Sequence, residues 1–288
     1  MQPCAELEQI VLQNYLKDGL EGGALDVFQG SYSSREGMLV IGTAPQDWYA
    51  DREAIDHFFK ASSGGSLQVQ VEDIRAFCEG RVGWTADRVK LRLPDGNEIP
   101  IRHTKVFHRE GETWKIVHLH VSAGVPDSKL KELKFPKTSG PMTDGIPAGL
   151  NTPSLLTDLI QTHYQKLSSG STQDFSRSLF SRQSPPLVIG TEFGNWFEGY
   201  EAAIQFYYLE GAANLKVHVD DIRSQQEDHM GWVADRVTAR LPSGLQVPVR
   251  HTYLFIQEGE SWKLVHSHIS VPVPDDKLEQ LINQTPPN

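Results

Sequence analysis

The sequence predicts two α+β domains, in each of which helices pack into a curved antiparallel sheet. The first observation is an internal repeat: Trp48 matches Trp196 and Asp87 matches Asp235, both pairs 148 residues apart (196 minus 48, 235 minus 87). The second is that each copy changes from helical to alternating hydrophobic spacing along its length. With 288 residues, both copies are large enough for their own core. We expect a first domain at 1–133, a linker at 134–153 rich in Pro, Gly, Ser and Thr, and a second domain at 154–288.

Each domain begins with helical spacing and continues with strands. In the first copy, Leu7, Ile10 and Val11 recur at helical spacing and predict a helix that ends near Gly19–Gly23. The alternation that follows predicts long strands, and the Pro-Asp-Gly-Asn sequence between two of them indicates a turn. The predicted elements after the first helix are a strand at 38–43, a helix at 51–61, strands at 67–77 and 82–93, and a turn at 94–97.

A hairpin ends each copy, over 100–126 and again over 248–274. A two-residue turn at Glu110-Gly111 would place His103 opposite His118. Because side chains alternate between the faces of a strand, the hairpin predicts one aromatic and basic face, which we interpret as a pocket wall. Its residues are His103, Lys105, Phe107, Trp114, Ile116, His118 and His120, and in the copy His251, Tyr253, Phe255, Trp262, Leu264, His266 and His268.

Composition narrows the classes of partner. The formal charge of −10 provides no basic field for nucleic acid or an anionic membrane. No apolar run approaches the roughly 20 residues that span a bilayer, and the N-terminus has no apolar signal core. The two cysteines, Cys4 and Cys78, do not recur in the repeat, which argues against disulfides and cysteine metal sites. We therefore expect a cytoplasmic protein with a small-molecule ligand and neither cofactor nor metal.

The segments IGTAPQDWYADREAI, GWTADRVKLRLPDG and WKIVHLHVS resemble the nuclear transport factor 2-like superfamily, in particular its SnoaL-like branch. This resemblance covers nearly all of both copies and implies cone-shaped α+β barrel domains. Its members include ketosteroid isomerase, polyketide cyclases, limonene epoxide hydrolase and the association domain of calmodulin-dependent kinase II. The fold therefore implies no single function.

The resemblance assigns roles to particular positions. Tyr15 and Tyr164 match the tyrosine that donates a hydrogen bond to the oxyanion in the isomerase. No carboxylate lies around 41–43, where the isomerase has its general base, which argues against isomerisation by that mechanism. Its second aspartate falls near Lys105 and Tyr253. The family's pocket wall would be the face carrying Trp84, Ala86 and Arg88, which places Arg88 beside His103.

Histidine is the main candidate for proton transfer, because its imidazole titrates near neutral pH. The alternative for His118 and His120 is a buried, hydrogen-bonded structural role, and a metal-binding reading of the same pair lacks a carboxylate or thiolate. A bound anion would be held by Arg88, Arg236 and Lys105. The alternative is that these cations pair with a helix carboxylate such as Glu53 or Glu201. The predicted catalytic residues are His103, His118, Tyr15, Arg88, His251, His266, Tyr164 and Arg236.

Aromatic residues would complete the binding site or fill the core. The predicted substrate-binding residues are Trp48, Trp84, Lys105, Phe107, Trp114, His120, Trp196, Trp232, Tyr253, Phe255, Trp262 and His268. The two copies differ where His57 becomes Gln205, Lys105 becomes Tyr253 and His108 becomes Ile256, so two pockets of different chemistry are possible.

We expect Asp87 to lie on the opposite face and to pair with Arg102, as Asp235 would with Arg250, unless a β-bulge turns Asp87 into the pocket. That second face would be buried between the halves in an intramolecular pseudo-dimer, through Thr85, Val89, Leu91, Leu93, Val106, Val117 and Val121. Further self-association of this pseudo-dimer is also possible. The function predicted is a cofactor-independent acid–base enzyme, such as an isomerase, cyclase, dehydratase or hydrolase, acting on a small and partly apolar substrate. The alternatives are a non-catalytic ligand-binding protein and an assembly module.

Overall fold

The computed structural model describes residues 1–18, 27, 30–62, 68–93, 96–133, 135, 154–212, 215–274 and 277–278. The chain divides into two compact units. The first comprises Met1–Gly124 and Val273–Asn288, and the second comprises Val125–Pro272. The predicted linker at 134–153 lies, apart from Phe135, outside the described residues, as do the predicted helix end at Gly19–Gly23 and the first half of the 94–97 turn. The predicted domain boundaries and pseudo-dimer stay predictions.

The first unit follows the predicted order of helices and strands. Its elements are β1 (Gln2–Pro3), α1 (Ala5–Asp18), β2 (Leu39–Ile41), β3 (Trp48–Tyr49), α2 (Arg52–Ser62), β4 (Gln68–Glu79), β5 (Val82–Arg92), β6 (Glu98–Glu110) and β7 (Thr113–Ala123).

The second unit has the same order of long helices and strands from its first long helix onward. Its elements are a 3₁₀ helix (Asp127–Leu133), α3 (Leu155–Ser169), α4 (Thr172–Leu179), β8 (Leu187–Ile189), β9 (Trp196–Glu198), α5 (Tyr200–Ala212), β10 (Lys216–Glu227), β11 (Met230–Arg240), β12 (Gln246–Glu258) and β13 (Ser261–Ser270). Each unit is therefore a mixed α+β domain, as the sequence predicts. No helix in the described ranges is both long enough and apolar enough to cross a membrane.

One mainly antiparallel sheet organises each unit. Within the described residues, the strand order is β1-β4-β5-β6-β7-β2-β3 in the first unit and β10-β11-β12-β13-β8-β9 in the second. The exceptions to antiparallel pairing are β2 with β7 and β8 with β13, which are parallel. The four long strands of each unit thus lie side by side. The short strand β2 pairs with the last of them, β7, and in the second unit β8 pairs with β13.

The first helix of each unit packs on the sheet through a close approach to glycine. A Cβ at Gly83 would clash with the Leu7 side chain of α1 and lie 3.1 Å from the Phe77 carbonyl oxygen. Gly231 has the same relation to Leu156 of α3 and to the carbonyl oxygen of Gln225. Glycine at these two positions lets a helix approach the strand closely. The helix side of the sheet is thereby fixed as the buried core of each unit.

The final hairpin differs from its predicted register in two ways. Its turn is Gly111-Glu112, with Gly111 at φ +64°, so Phe107 lies opposite Ile116 rather than Trp114. This shift of two residues keeps Phe107, Trp114 and Ile116 on the core side with His103 and Lys105. A bulge at Val117 then shifts the pairing by one more residue, which places His118 opposite Val106 and His120 opposite Thr104. The prediction that His118 and His120 share the face of His103 is therefore wrong.

Strand β5 also presents the opposite face from the one predicted. Asp87 lies directly opposite His103, whereas Arg88 lies opposite Arg102. Paired residues in an antiparallel sheet share a face, so Asp87 points to the core side and Arg88 away from it. Val89 belongs to the core cluster of the first unit, against which three other predicted back-face residues also pack. These three are Leu91, Leu93 and Val121.

Candidate active site

Four polar side chains meet on the core side of the first unit. The carboxylate of Asp87 accepts hydrogen bonds from the Tyr15 hydroxyl at 2.5 Å, His103 Nδ1 at 2.7 Å and Lys105 Nζ at 2.6 Å. Lys105 Nζ also donates to the Tyr15 hydroxyl oxygen at 2.7 Å. Helix α1 supplies the tyrosine, and neighbouring positions of β5 and β6 supply the other three. The sheet register, rather than a loop, positions this cluster.

Burial and charge set the protonation states in this cluster. Burial alone would raise the pKa of Asp87, but the positive charge of Lys105 and the hydrogen bonds from Lys105 and His103 outweigh it and hold this pKa well below its usual value. Burial and the charge of Lys105 lower the pKa of His103, against an opposing effect of Asp87. At neutral pH the pair is therefore a carboxylate and a neutral imidazole.

The second unit repeats the cluster with one substitution. Asp235 accepts hydrogen bonds from the Tyr164 hydroxyl at 2.6 Å and from His251 Nδ1 at 2.7 Å. Tyr253 occupies the position of Lys105, and its hydroxyl lies 3.4 Å from that of Tyr164. Asp235 is fully buried, as is Asp87. The carboxylate–imidazole pair thus recurs in both units, whereas the cation does not.

The second cluster lies at the wall of a cavity of about 430 Å³. The lining is mostly aliphatic and aromatic, and its polar members include His163, Tyr164, His251 and Tyr253. Its apolar members are Leu130, Leu167, Phe197, Phe206, Leu215, Val217, Val237, Ala239, Leu241, Val247, Val249, Ile269 and Val271. Such a cavity, apolar with a few convergent polar groups, is typical of a small-molecule site.

The hydrogen bonds leave one ring nitrogen of each histidine available. Because a carboxylate only accepts hydrogen bonds, Nδ1 of His103 and of His251 carries the proton, and Nε2 keeps its lone pair. Neither Nε2 atom has a hydrogen-bond partner among the described residues. The arrangement therefore provides an oriented base in each unit.

The tyrosine hydroxyls play a different part from the one the resemblance implies. Tyr15 and Tyr164 donate their protons to Asp87 and Asp235, so neither is left as a donor for a substrate oxygen. One N–H group of Lys105 remains unused, and Tyr253, whose hydroxyl proton faces the Tyr164 oxygen at 3.4 Å, can redirect this long hydrogen bond to a ligand. Burial raises the pKa of Tyr253 well above its usual value, so its hydroxyl keeps its proton.

His163 is a cavity residue that the sequence analysis missed. It is 2% exposed, and its Nδ1 has no hydrogen-bond partner among the described residues. The equivalent residue, Asn14, also has a buried side-chain nitrogen, Nδ2, without a partner in that part of the chain. Helical spacing offered a signal, because Leu156, Ile160, His163, Tyr164 and Leu167 fall on one side of a helix.

His118 and His266 are placed away from the clusters by the bulges of the two hairpins. Each is fully buried, and its Nδ1 donates to a backbone carbonyl oxygen, of Leu39 at 3.0 Å and of Leu187 at 2.9 Å. Burial lowers the pKa of both to about 3. His120 and His268 are likewise buried on the far side, opposite Thr104 and Thr252.

The arginines also lie elsewhere. Arg88 pairs with Asp73 at 3.2 Å, and Arg236 is exposed. The predicted Asp87–Arg102 contact is wrong, because adjacent strand positions face opposite sides: Arg102 donates to Ser122 Oγ at 3.2 Å and to the Ala123 carbonyl oxygen at 3.3 Å. The predicted Asp235–Arg250 contact is wrong for the same reason, since Arg250 lies opposite Arg236 and Asp235 bonds Tyr164 and His251.

The aromatic candidates divide among three environments. Phe107 and Trp114 belong to the core cluster of the first unit, and Phe255 and Trp262 belong to that of the second. Trp84 stacks on Phe77 with ring centroids 4.8 Å apart, and Trp232 is 4% exposed. Each tryptophan is three residues from the aspartate of its strand, so the two side chains point to opposite faces of the sheet. Trp48 and Trp196 are half-buried on β3 and β9. No group of three or more metal-binding side chains is found in the described part of the chain.

Comparison with known proteins identifies the domain. The family model of the SnoaL-like domain matches residues 12–127 and again residues 157–274. Among curated proteins, no match is found.

Three solved structures that are similar to the chain each cover less than half of it. An NTF2-like protein of unknown function from Pseudomonas putida is 14% identical with a TM-score of 0.37, over 43% of this chain and 89% of that one. A protein with a cystatin-like fold from Caulobacter vibrioides is 15% identical with a TM-score of 0.35, over 43% and 92%. The yeast UBP3-associated protein BRE5 is 14% identical with a TM-score of 0.35, over 41% and 95%. Structural similarities this weak carry no information about activity. The two matches to the family model do establish the family: the chain belongs to the SnoaL-like domain family and carries two copies of the domain in tandem.

Proposed function

We propose that the protein is a cofactor-independent acid–base enzyme acting on a small, largely apolar molecule that carries a carbonyl or hydroxyl group. His251 is the base in the second unit and His103 its equivalent in the first. The observation that carries this proposal is the Asp235–His251 pair at the wall of an apolar cavity. The carboxylate holds Nδ1, so Nε2 is left as an oriented proton acceptor.

The proton transfer follows from the groups present. His251 Nε2 takes a proton from the carbon next to a substrate carbonyl, and the electrons of that C–H bond move to form an enolate. The hydroxyl of Tyr253 turns from its 3.4 Å contact with the Tyr164 oxygen and donates a hydrogen bond to the enolate oxygen, and the imidazolium then returns its proton to carbon or oxygen. Such a donor contributes about 2.7–4 kcal/mol in a preorganised site. Isomerisation, cyclisation and dehydration each use a step of this kind.

The experiment is solvent exchange of carbon-bound protons. Cyclohexanone and related cyclic ketones are incubated with the full chain in D₂O, and loss of the α-proton signals is followed by NMR. We expect the wild type to exchange these protons faster than buffer alone. His251→Gln should reduce the exchange rate of the second unit by about 10²–10⁴-fold, and His103→Gln should do the same for the first unit. His229→Gln is the matched control, because His229 is exposed in a turn. Exchange that survives in the double variant, or no exchange in the wild type, would contradict the proposal.

A non-catalytic ligand carrier is the second candidate, and the largely apolar lining of the cavity favours it over an assembly module. A carrier would bind cyclic ketones saturably without exchanging their protons. The same NMR samples therefore separate the two functions.

A further inference from the structure

Position 105 and its copy, position 253, carry different chemistry in the two units (253 minus 105 is 148). In the first unit, Lys105 lies against Asp87 and compensates its negative charge. In the second unit, Asp235 accepts hydrogen bonds from Tyr164 and His251, and no lysine or arginine forms an ion pair with it among the described residues. The cavity of the second unit is thus built beside a buried carboxylate that lacks a permanent cation.

The side chains described as lining this cavity also supply no permanent positive charge. Asp127 is the acidic residue among the lining side chains, and neither lysine nor arginine is one of the described lining residues. Burial and the charge of Glu192 raise the pKa of Asp127. An anionic ligand would lose its hydration and lie near the negative charge of Asp235, behind His251 and Tyr164, without gaining a cationic partner, which is costly in an apolar site.

His163 adds a polar side chain to the wall of this cavity. Its ring packs among Phe175, Tyr207 and Tyr253, with ring centroids 5.2–6.4 Å away, and its Nδ1 has no hydrogen-bond partner in the described part of the chain. Burial, together with the charge that His251 carries when it is protonated, lowers the pKa of His163 to about 3, so the ring of His163 is neutral at neutral pH. A neutral imidazole exchanges hydrogen bonds with a hydroxyl or a carbonyl but offers no positive charge to a carboxylate.

We propose that the cavity of the second unit selects uncharged alicyclic or aromatic alcohols and ketones over carboxylates, and that Tyr253, in the place of Lys105, sets this preference. The inference rests on the proposed function, because it specifies the ligand of the same cavity. Tyr253 supplies a neutral donor, His251 Nε2 a neutral acceptor, and His163 a second polar contact at the wall of an otherwise apolar volume.

The test compares two probes of nearly equal size, cyclohexylmethanol and cyclohexanecarboxylate, at neutral pH. Binding to the full chain is followed by NMR through the methyl groups of Val237 and Val249, which line the cavity of the second unit. We expect the alcohol to bind at least ~10-fold more tightly than the carboxylate, a difference of about 1.4 kcal/mol. Tyr253→Lys should reverse this order. Tyr253→Phe, the control that adds no charge, should weaken binding of the alcohol but leave the alcohol bound more tightly than the carboxylate. His163→Phe should also weaken binding of the alcohol.

The wild-type comparison decides the proposal even if Tyr253→Lys fails to fold. Equal binding of the two probes in the wild type would overturn the charge preference alone, and an unchanged order in a folded Tyr253→Lys variant would overturn the role of Tyr253. Binding of neither probe at millimolar concentration would overturn both this inference and the ligand site on which the proposed function depends. Proton exchange by His251 is a separate measurement, so loss of catalysis with the alcohol preference intact would contradict the proposed function only.

Discussion

Asp87 and His103 lie directly opposite each other on adjacent strands and are joined by a 2.7 Å hydrogen bond between Oδ1 and Nδ1. Asp235 and His251 repeat this relationship in the second unit, also at 2.7 Å. Because both residues of each pair lie in the middle of long strands, the orientation of the imidazole is fixed by the sheet itself. The same pairing in two copies indicates that the register of β5 with β6, and of β11 with β12, builds the site.

Replacing Asp235 by Asn should abolish the base without a large change of shape. The amide can present its NH₂ to His251 Nδ1, which moves the ring proton to Nε2 and removes the lone pair that accepts the substrate proton. We expect α-proton exchange by the second unit to fall about 10²–10⁴-fold, measured in a His103→Gln background. Asp220→Asn on β10, the edge strand next to β11, is the control, since Asp220 is exposed. Wild-type exchange in Asp235→Asn would contradict the role of the carboxylate.

Tyr164→Phe should destabilise the second unit more than Tyr15→Phe destabilises the first. Each change removes a hydrogen bond to a buried carboxylate, which costs about 1–3 kcal/mol. Asp87 keeps Lys105 and His103 as partners, whereas Asp235 keeps His251 alone. Hydrogen exchange of the amides in β5 and β11 of the full chain measures the two losses separately. Equal losses would show that Lys105 does not compensate the charge of Asp87.

Acid should destabilise the fold through its buried neutral histidines. The pKa of His118 and His266 is about 3 in the folded chain and about 6.5 when unfolded. Below pH 6.5 the unfolded state therefore binds more protons, and stability falls as the pH is lowered, by up to about 1.4 kcal/mol per pH unit for each group. Urea unfolding between pH 7 and pH 4, followed by tryptophan fluorescence, should show this slope. His118→Asn should reduce it, whatever its effect on stability at pH 7, and an unchanged slope would argue against this assignment.

Gly83→Ala and Gly231→Ala should each destabilise the chain by about 1–3 kcal/mol, because the new methyl group overpacks the contact with Leu7 or Leu156. Gly194→Ala is the control, since a Cβ there meets no atom within 4 Å. Thermal unfolding of the three variants measures the difference. Similar melting temperatures for all three would mean that the first helix of each unit does not need the close approach.

The sequence was sufficient for the tandem α+β architecture, because the repeat and the change of hydrophobic period are properties of the chain alone. It also placed His103, Lys105 and Tyr15 in one candidate site, and the structure brings these three together. The facing of His118 could not be predicted, because it depends on one extra residue, Val117, at a bulge that leaves no distinctive sequence pattern.

The face on which Asp87, the partner of His103, lies was predicted wrongly for a related reason. Asp87 and Arg88 are neighbours, and a pairing error of one residue exchanges the faces of a whole strand. Placing Asp87 on the face of His103 would have required the register of β5 with β6, which alternation alone leaves open. Helical spacing marks the side of α3 that carries His163 as buried, but it does not distinguish a cavity residue from a core residue.

The most direct test is the tautomer of His251, measured from the ¹⁵N chemical shifts of its ring in the full chain at neutral pH. We predict a protonated Nδ1 and an unprotonated Nε2, with Nε2 shifting when cyclohexylmethanol occupies the cavity. Asp235→Asn should exchange the two signals. A wild-type His251 protonated on Nε2, or an Nε2 signal that does not respond to the bound alcohol, would contradict the central claim that the Asp235–His251 pair presents a base to this cavity.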